Sequence, residues 1–114
     1  MHPIDKSAFD DLRAHTSERF VAELVDTFMH EAPRMLADLR RARDAADAEL
    51  FRRTAHTLKS NSATFGAMEL VGMARAMELG GLEADAASDH GAIDELEHAW
   101  RRAAAALQEM ARGC

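Results

Sequence analysis

The chain has 114 residues, of which 20 are acidic and 14 are basic, and its formal net charge at pH 7 is −6. This acidic balance argues against general nucleic-acid binding, because that activity needs clustered positive charge. The single cysteine, Cys114, excludes an internal disulfide, and the absence of a long apolar run leads us to expect neither a membrane span nor a secretory leader. We therefore expect one cytoplasmic domain over residues 1–114.

Cap signals mark the starts of the first two predicted helices. Ser7 and Asp10 form a capping-box pattern, which predicts a short helix over residues 7–14. Thr16 and Ser17 are the cap candidates of a second helix. Apolar residues at helical spacing predict one buried stripe on this second helix, comprising Phe20, Val21, Leu24, Val25 and Phe28.

Proline and glycine set the expected limits of the next helices. Pro33 lacks a backbone N–H, so we expect a kink or break near residues 31–32 and a new start towards Met35. A third helix is predicted over residues 47–65. It should end at Gly66, because glycine suits the left-handed position that follows many helices.

The remaining chain predicts two more helices. The fourth has apolar positions at Leu70, Met73, Ala74 and Met77. Gly80 and Gly81 would ordinarily end it, although packing can carry a helix through two glycines, and residues 88–91 form the clearest loop. The last helix has the strongest apolar pattern, at Ile93, Leu96, Trp100, Ala103, Leu107 and Met110. These elements predict an all-α fold, an antiparallel four-helix bundle with an additional short N-terminal helix.

His56 is predicted to lie opposite the buried face of the third helix. At about 100° per residue, Phe51 and Leu58 point to the other side of that helix. The neighbours of His56 on its own face are Arg52, Arg53, Lys59, Ser60 and Ala63. An exposed imidazole among cations and small side chains suits contact with a phosphoryl group and a protein surface. The same cluster is equally compatible with an ordinary solvated helix face.

The segment over residues 53–70 closely resembles the signature of histidine-containing phosphotransfer (HPt) domains. It contains Ala-His-x-Leu-Lys at residues 55–59, then small residues and Gly-Ala at residues 66–67. The order of predicted helices is also similar, so the resemblance covers nearly the whole chain. It implies that His56 accepts a phosphoryl group from a receiver-domain aspartate and passes it to another receiver, while Lys59 interacts with the phosphoryl group.

The resemblance also implies the partners of the chain. They are response-regulator receiver domains and a hybrid sensor kinase. The chain itself is then expected to be a monomeric carrier with no ATP-dependent kinase activity and no cofactor of its own. Mg²⁺ is expected on the receiver. Many HPt domains have Gly after the motif lysine, and Ser60 is expected to preserve docking in its place. The predicted partner-binding residues are Arg52, Arg53, Ser60 and Ala63.

Helix register predicts a hydrogen-bond partner for the imidazole of His56. If the chain turns back near residue 67, residues equally far from that turn lie level, which places Glu78 beside His56. In HPt domains, Glu or Gln at the matching position hydrogen-bonds the histidine, so Glu78 is the candidate orienting residue. The alternative is an exposed glutamate near the end of a helix.

Three other functions stay open. A sensor-kinase dimerisation helix also presents a histidine, but it usually has an acidic residue next, where this chain has Thr57, and it works with a nucleotide-binding segment that we do not find. A di-metal bundle needs repeated Glu-x-x-His pairs, and the chain has one, Glu95 and His98. A structural or adaptor bundle would keep the fold without phosphotransfer.

Overall fold

The computed structural model describes residues 3–83 and 91–112. Within these ranges the chain forms five helices and no strand. In chain order they are α1 (Lys6–His15), α2 (Glu18–Ala45), α3 (Ala48–Thr64), α4 (Met68–Gly80) and α5 (Ala92–Arg112). Both α3 and α5 pack against α2 and α4, which closes a four-helix bundle, and α1 lies against α2 and α3. The predicted all-α bundle with an additional short N-terminal helix is confirmed.

Side-chain caps begin the first three helices. Asp5, Ser17 and Asp47 each accept a hydrogen bond from a backbone N–H two or three residues ahead, at 3.0, 3.1 and 3.0 Å respectively. Each bond satisfies one N–H that the first turn of a helix leaves without a partner. The predicted cap at Ser17 is confirmed, whereas α1 is capped by Asp5 rather than Ser7 and begins one residue earlier than predicted.

The helix α2 continues through Pro33, so the predicted break near residues 31–32 is wrong. Pro33 itself is exposed, while Ala32 and Leu36 are buried in the core. A proline removes one helical hydrogen bond and crowds the preceding turn. Burial of the apolar face along α2 outweighs that local cost, because tertiary packing supplies most of the stability of a helix in a protein.

The buried stripe of α2 is narrower than predicted. Val21, Val25 and Phe28 are buried, but Phe20 keeps 46% of its surface exposed. Phe20 lies one residue before Val21 and therefore about 100° around the helix from the buried face. Leu24 is partly buried against the core.

Glycines in the left-handed region follow both helices that carry the predicted site. Gly66 has φ 70°, and its carbonyl accepts a hydrogen bond from the backbone N–H of Asp5. A Cβ at Gly66 would lie 2.8 Å from the Cβ of Ala8, so only glycine fits there. Gly81, with φ 65°, directs its N–H to the carbonyl of Met77 and ends α4, so the helix does not pass through the two glycines. Of the predicted loop at residues 88–91, positions 88–90 lie outside the described residues.

An aromatic cluster joins three parts of the bundle. Phe28 stacks on Phe65 with ring centroids 5.0 Å apart, and its ring meets Trp100 edge-on at 4.9 Å. All six predicted apolar positions of the last helix pack in or against the core. Phe51 and Leu58 of α3 are also buried there, so the opposite side of α3 faces outward. In the described part of the chain, no helix has the combined length and apolar character needed to cross a membrane.

Candidate functional site

His56 lies on the outward face of α3. Its side chain is 53% exposed, whereas Phe51 and Leu58 of the same helix are buried. This arrangement follows from the helical period, since the apolar positions of α3 turn towards α2 and α4 and leave His56 on the other side. The histidine predicted from the sequence is therefore accessible to another molecule.

Glu78 of α4 joins His56 to Lys59. Its Oε2 atom lies 2.8 Å from Nδ1 of His56, and its Oε1 atom accepts a hydrogen bond from Nζ of Lys59 at 2.7 Å. His56 and Lys59 are one turn apart on α3, so a single carboxylate from the neighbouring helix reaches both. The structure thus brings Glu78 beside His56 as the helix register predicts. The contact between Lys59 and Glu78 was not predicted.

The Glu78 carboxyl group is held in its ionised form. Its side chain is 15% exposed, and the hydrogen bond from Lys59 is the main cause that lowers its pKa below the ordinary value. Partial burial opposes this shift, and the hydrogen bond with His56 adds to it. An ionised carboxylate only accepts hydrogen bonds, so Nδ1 of His56 carries the proton in this contact.

The other ring nitrogen of His56, Nε2, is the one that could act as a nucleophile. No hydrogen bond to Nε2 is present within residues 3–83 and 91–112. When Nδ1 carries the proton of a neutral imidazole, Nε2 carries the lone pair. A neutral His56 with this contact has Nε2 as its nucleophilic nitrogen.

The predicted partner-binding residues lie on α3 near His56. Arg52, Arg53, Ser60 and Ala63 are all exposed. The guanidinium of Arg52 donates two hydrogen bonds to Glu49, at 2.7 and 3.2 Å, which ties its charge to its own helix. In the described part of the chain, Arg53 makes no side-chain hydrogen bond and attracts Glu49 only at longer range. Arg53 is thus the more available cation.

A groove between α2 and α3, which His56 itself does not line, was not predicted from the sequence. Its volume is about 450 Å³, and α3 contributes Arg53, Thr54 and Thr57. The α2 side consists of Glu31, Arg34, Met35 and Asp38. Helix pairing is the signal that would have found it, since α2 packs on α3. Charged side chains make up most of the lining of this groove.

Metal-ligating side chains do not converge in the described ranges. Among residues 3–83 and 91–112, no group of three His, Cys, Asp or Glu side chains is placed to hold a metal ion. The chemistry that these residues offer is thus that of an imidazole, a carboxylate and an ammonium group.

The Hpt domain family model matches residues 23–112, a range that includes His56, Lys59 and Glu78. The fold is also similar to the crystal structure of histidine-containing phosphotransfer protein B (HptB) from Pseudomonas aeruginosa PAO1, with a TM-score of 0.86 and 22% sequence identity. That likeness covers 98% of this chain and 96% of the other. No curated protein matches the chain in sequence. The chain belongs to the Hpt domain family, whose members transfer phosphoryl groups through histidine in phosphorelays.

Proposed function

We propose that His56 is the phospho-acceptor of this Hpt domain and that Nε2 is the atom that bonds to phosphorus. The observation that carries the proposal is the contact of Nδ1 with Glu78 on an exposed side chain, because in a neutral imidazole whose Nδ1 carries the proton the lone pair is on Nε2. The matched family range and the Ala-His-x-Leu-Lys motif at residues 55–59 support the same choice.

The proposed step conserves charge and protons within the site. The Nε2 lone pair attacks the phosphorus of a receiver aspartyl phosphate, and the P–O bond breaks with its electron pair on the aspartate oxygen. The imidazole, which keeps its Nδ1 proton, becomes a cation, and the Glu78 carboxylate stabilises that charge. In the onward step a carboxylate oxygen of a receiver aspartate attacks phosphorus and forms the new P–O bond, while the P–Nε2 bond breaks, its electrons return to Nε2, and a neutral imidazole leaves.

Positive charge around the acceptor assists the transfer. Phosphoryl transfer requires positioning and charge stabilisation more than covalent help from the protein. Lys59 is one turn from His56, and the exposed guanidinium of Arg53 is one turn to the other side. We assign Lys59 to interaction with the phosphoryl group and Arg53, with Arg52, Ser60 and Ala63, to contact with the partner.

The chain acts in this proposal as a carrier and not as an ATP-dependent kinase. Its partners are receiver domains of response regulators and of a hybrid sensor kinase, and the Mg²⁺ needed for transfer is held by the receiver. We further propose that residues 1–114 work as one monomeric, cytoplasmic unit without a cofactor of their own. Light scattering during size-exclusion chromatography measures the mass, and a dimer mass would contradict the monomer.

Phosphate transfer from a panel of phosphorylated receiver domains tests the assignment of His56. The native chain is expected to acquire a label that is acid-labile and base-stable, as phosphohistidine is, and His56→Gln should abolish it. Because His56 is exposed, the substitution is expected to leave the fold intact. No label on the native chain from any receiver would contradict the proposed function.

His30 provides a matched control on another helix. Its side chain is also exposed, Nδ1 lies 2.8 Å from the backbone carbonyl of Asp26, and the Asp26 carboxylate is 3.8 Å away. It resembles His56 in having Nδ1 engaged, but its partner lies on its own helix. His30→Gln should leave the phosphorylation unchanged, and loss of label in this variant would contradict the assignment to His56.

A further inference from the structure

One side of α4 exposes large apolar side chains to solvent. Met68 keeps 52% of its surface exposed, and Leu79 keeps 75%. Among the residues that the structure describes, Phe20 on α2 is the one other large apolar residue that is exposed. With Met68 at 0° on the helix, Gly72, Arg75 and Leu79 all lie within about 40° of it. These four residues extend over about three turns, and we call them the outer face of α4.

The outer face of α4 points away from both neighbouring helices. On one side of it Glu78 bonds to side chains of α3, and on the other side Glu69 pairs with Arg102 of α5. Leu79 follows Glu78 by one residue, which is a rotation of about 100° around the helix. The outer face therefore lies between the side that meets α3 and the side that meets α5, and a molecule bound there leaves His56 accessible.

A glycine lies on the outer face of α4 without a reason inside the described part of the chain. Gly72 is exposed in the middle of the helix, and its φ is not in the left-handed region. A Cβ at this position would meet nothing within 4 Å beyond its chain neighbours and the helix backbone. Glycine is a weak helix former, so alanine would stabilise α4 more. The missing side chain leaves a flat site between Met68 and Leu79, where the backbone of another helix can come close.

The charge on the outer face of α4 is that of Arg75. Its guanidinium is exposed and makes neither a hydrogen bond nor an ion pair with residues 3–83 and 91–112. The other charged side chains of α4, Glu69 and Glu78, are already paired with cations of neighbouring helices. The charge that α4 offers to another molecule is therefore positive, although the whole chain has a formal net charge of −6. A carboxylate is the group that complements Arg75 at short range.

We propose that the outer face of α4 is a docking surface for an amphipathic helix of another protein, with apolar side chains on both sides of a central carboxylate. Met68 and Leu79 pack against the apolar side chains, which are about 16 Å apart along the helix. Gly72 lets the two backbones come close, and Arg75 pairs with the carboxylate. Because this surface is turned away from α3, the chain can hold such a partner while a receiver meets His56.

Two stapled helical peptides of three turns test the proposal. Both have leucine near each end of one face, and the residue at the centre of that face is glutamate in one peptide and lysine in the other. Titrated into the full ¹⁵N-labelled chain, the glutamate peptide should shift the amide resonances of residues 68–80 more than those of any other helix. It should bind more tightly than the lysine peptide by about 3-fold or more. Equal binding of the two peptides, or larger shifts on another helix, would overturn the proposal.

Reversing the charge at position 75 tests the pairing of Arg75 with the carboxylate. Arg75→Glu should weaken binding of the glutamate peptide by about 10-fold and should reverse the preference between the two peptides. Arg19→Glu is the matched control, because Arg19 is an exposed arginine on α2 whose ion pair is with Glu23 of the same helix. This control changes the net charge equally and should leave the affinity within about twofold. Equal losses in both variants would contradict the pairing.

A side chain at position 72 separates docking from folding. Gly72→Gln should weaken binding of the glutamate peptide by about 10-fold or more, because the added side chain keeps the two backbones apart. The midpoint of urea denaturation should not fall, since a Cβ at this position has open space and glutamine is the better helix former. Native affinity in Gly72→Gln would show that no helix approaches closely there and would overturn the proposal.

Two further outcomes would assign the outer face of α4 to a different occupant and overturn the proposal. A dimer of the native chain that Arg75→Glu dissociates in sedimentation would identify a second copy. A loss of phosphoryl transfer in Arg75→Glu as large as its loss of peptide affinity would make this face part of the receiver surface, whereas we expect transfer within about twofold of the native rate. The titration contains no phosphate donor, so a failure of transfer to His56 leaves its result unaffected.

Discussion

Two clusters of charged side chains join neighbouring helices of the bundle. One has a single anion that bonds to two donors, and the other has a single cation that bonds to two acceptors. Between α3 and α4, the carboxylate of Glu78 bonds to both Lys59 and His56. Between α2 and α5, one guanidinium, Arg40, serves two carboxylates, at 2.9 Å to Asp94 and 2.9 Å to Glu97. Both clusters use charged or polar groups at the bundle surface, so composition alone does not distinguish them.

The difference lies in what each cluster leaves available. Arg40 uses a different nitrogen for each carboxylate, and its pKa is raised, chiefly by the hydrogen bond to Asp94. Glu97 is further engaged by Arg101. At the other cluster, within the described residues, His56 is hydrogen-bonded through Nδ1 and not through Nε2, and its side chain is 53% exposed. An ion-pair cluster that links helices becomes a candidate chemical site when one reactive atom stays exposed.

Replacing the shared acceptor should have the largest effect on activity. Glu78→Gln keeps the size of the side chain but removes the charge, so we expect phosphoryl transfer to slow by about 10-fold or more, the size of effect seen when the partner that orients a metal-bound imidazole is removed. Arg40→Gln, the matched change in the other cluster, should leave the rate within about twofold. Rates of transfer from one receiver check both variants, and similar losses in the two would remove the functional distinction between the clusters.

For stability, a cluster that links two helices should contribute more than an ion pair within one helix. Arg40→Met breaks contacts to two carboxylates on α5, and we expect it to lower the free energy of unfolding by about 1 kcal/mol. Arg101→Met breaks only an exposed pair within α5 and should cost less. Urea denaturation measures both, and an equal cost would show that the link between helices adds nothing.

Acid should weaken both clusters, because Glu78 and Asp94 each have a pKa below the ordinary value. Hydrogen bonds from Lys59 and Arg40, respectively, are the largest causes. A carboxyl group with a lowered folded-state pKa contributes stability above its unfolded pKa, and this contribution disappears as the pH falls through the folded value.

Variants without these carboxylates should therefore lose less stability below about pH 5. Glu78→Gln and Asp94→Asn should each give a flatter dependence of the free energy of unfolding on pH than the native chain does. Glu109→Gln serves as the control, since Glu109 is exposed and forms no ion pair within the described ranges. Denaturation series at several pH values measure the slopes, and slopes equal to the native one would contradict the role of these pairs.

The smallest expected effect concerns two adjacent arginines beside the site. Among residues 3–83 and 91–112 Arg53 has no hydrogen-bonded partner for its side chain, so it can meet an acidic partner protein, whereas Arg52 is already paired with Glu49. Arg53→Gln should weaken binding of a receiver by a few-fold, about 3-fold at low salt, and should reduce its salt dependence. Arg52→Gln should change both quantities less. Titration calorimetry at two salt concentrations compares them, and a larger effect of Arg52→Gln would reverse the assignment.

Local patterns predicted most of the helical layout. The apolar spacing of the last helix, the cap at Ser17 and the glycine at position 66 each depend on neighbours within a few residues, and each is present in the structure. Pro33 and Phe20 show where such patterns fail. The packing of α2 on two neighbouring helices holds the helix through Pro33, and the width of the buried face leaves Phe20 exposed.

The candidate site also has some features that local sequence patterns predict and others that they do not. The exposure of His56 follows from the period of its helix, and the position of Glu78 follows from the distance of both residues to the turn. The hydrogen bond from Lys59 to Glu78 and the groove beside Arg53 do not follow from spacing along one helix. The pair of Arg52 with Glu49 does, since it has the i,i+3 spacing of neighbours on a helix surface. The ion pairs that long side chains form depend on which charged groups of the neighbouring helices lie close enough.

By itself, the sequence determined the helices, the outward face of α3 and the motif around His56, because these depend on periodicity and on residues close together in the chain. Only the tertiary structure decided that α2 is continuous and that one carboxylate links Lys59 to the imidazole. The physical reason is that both outcomes depend on the distance and rotation between packed helices. Those quantities result from the packing of the whole core, to which residues far apart in the chain contribute.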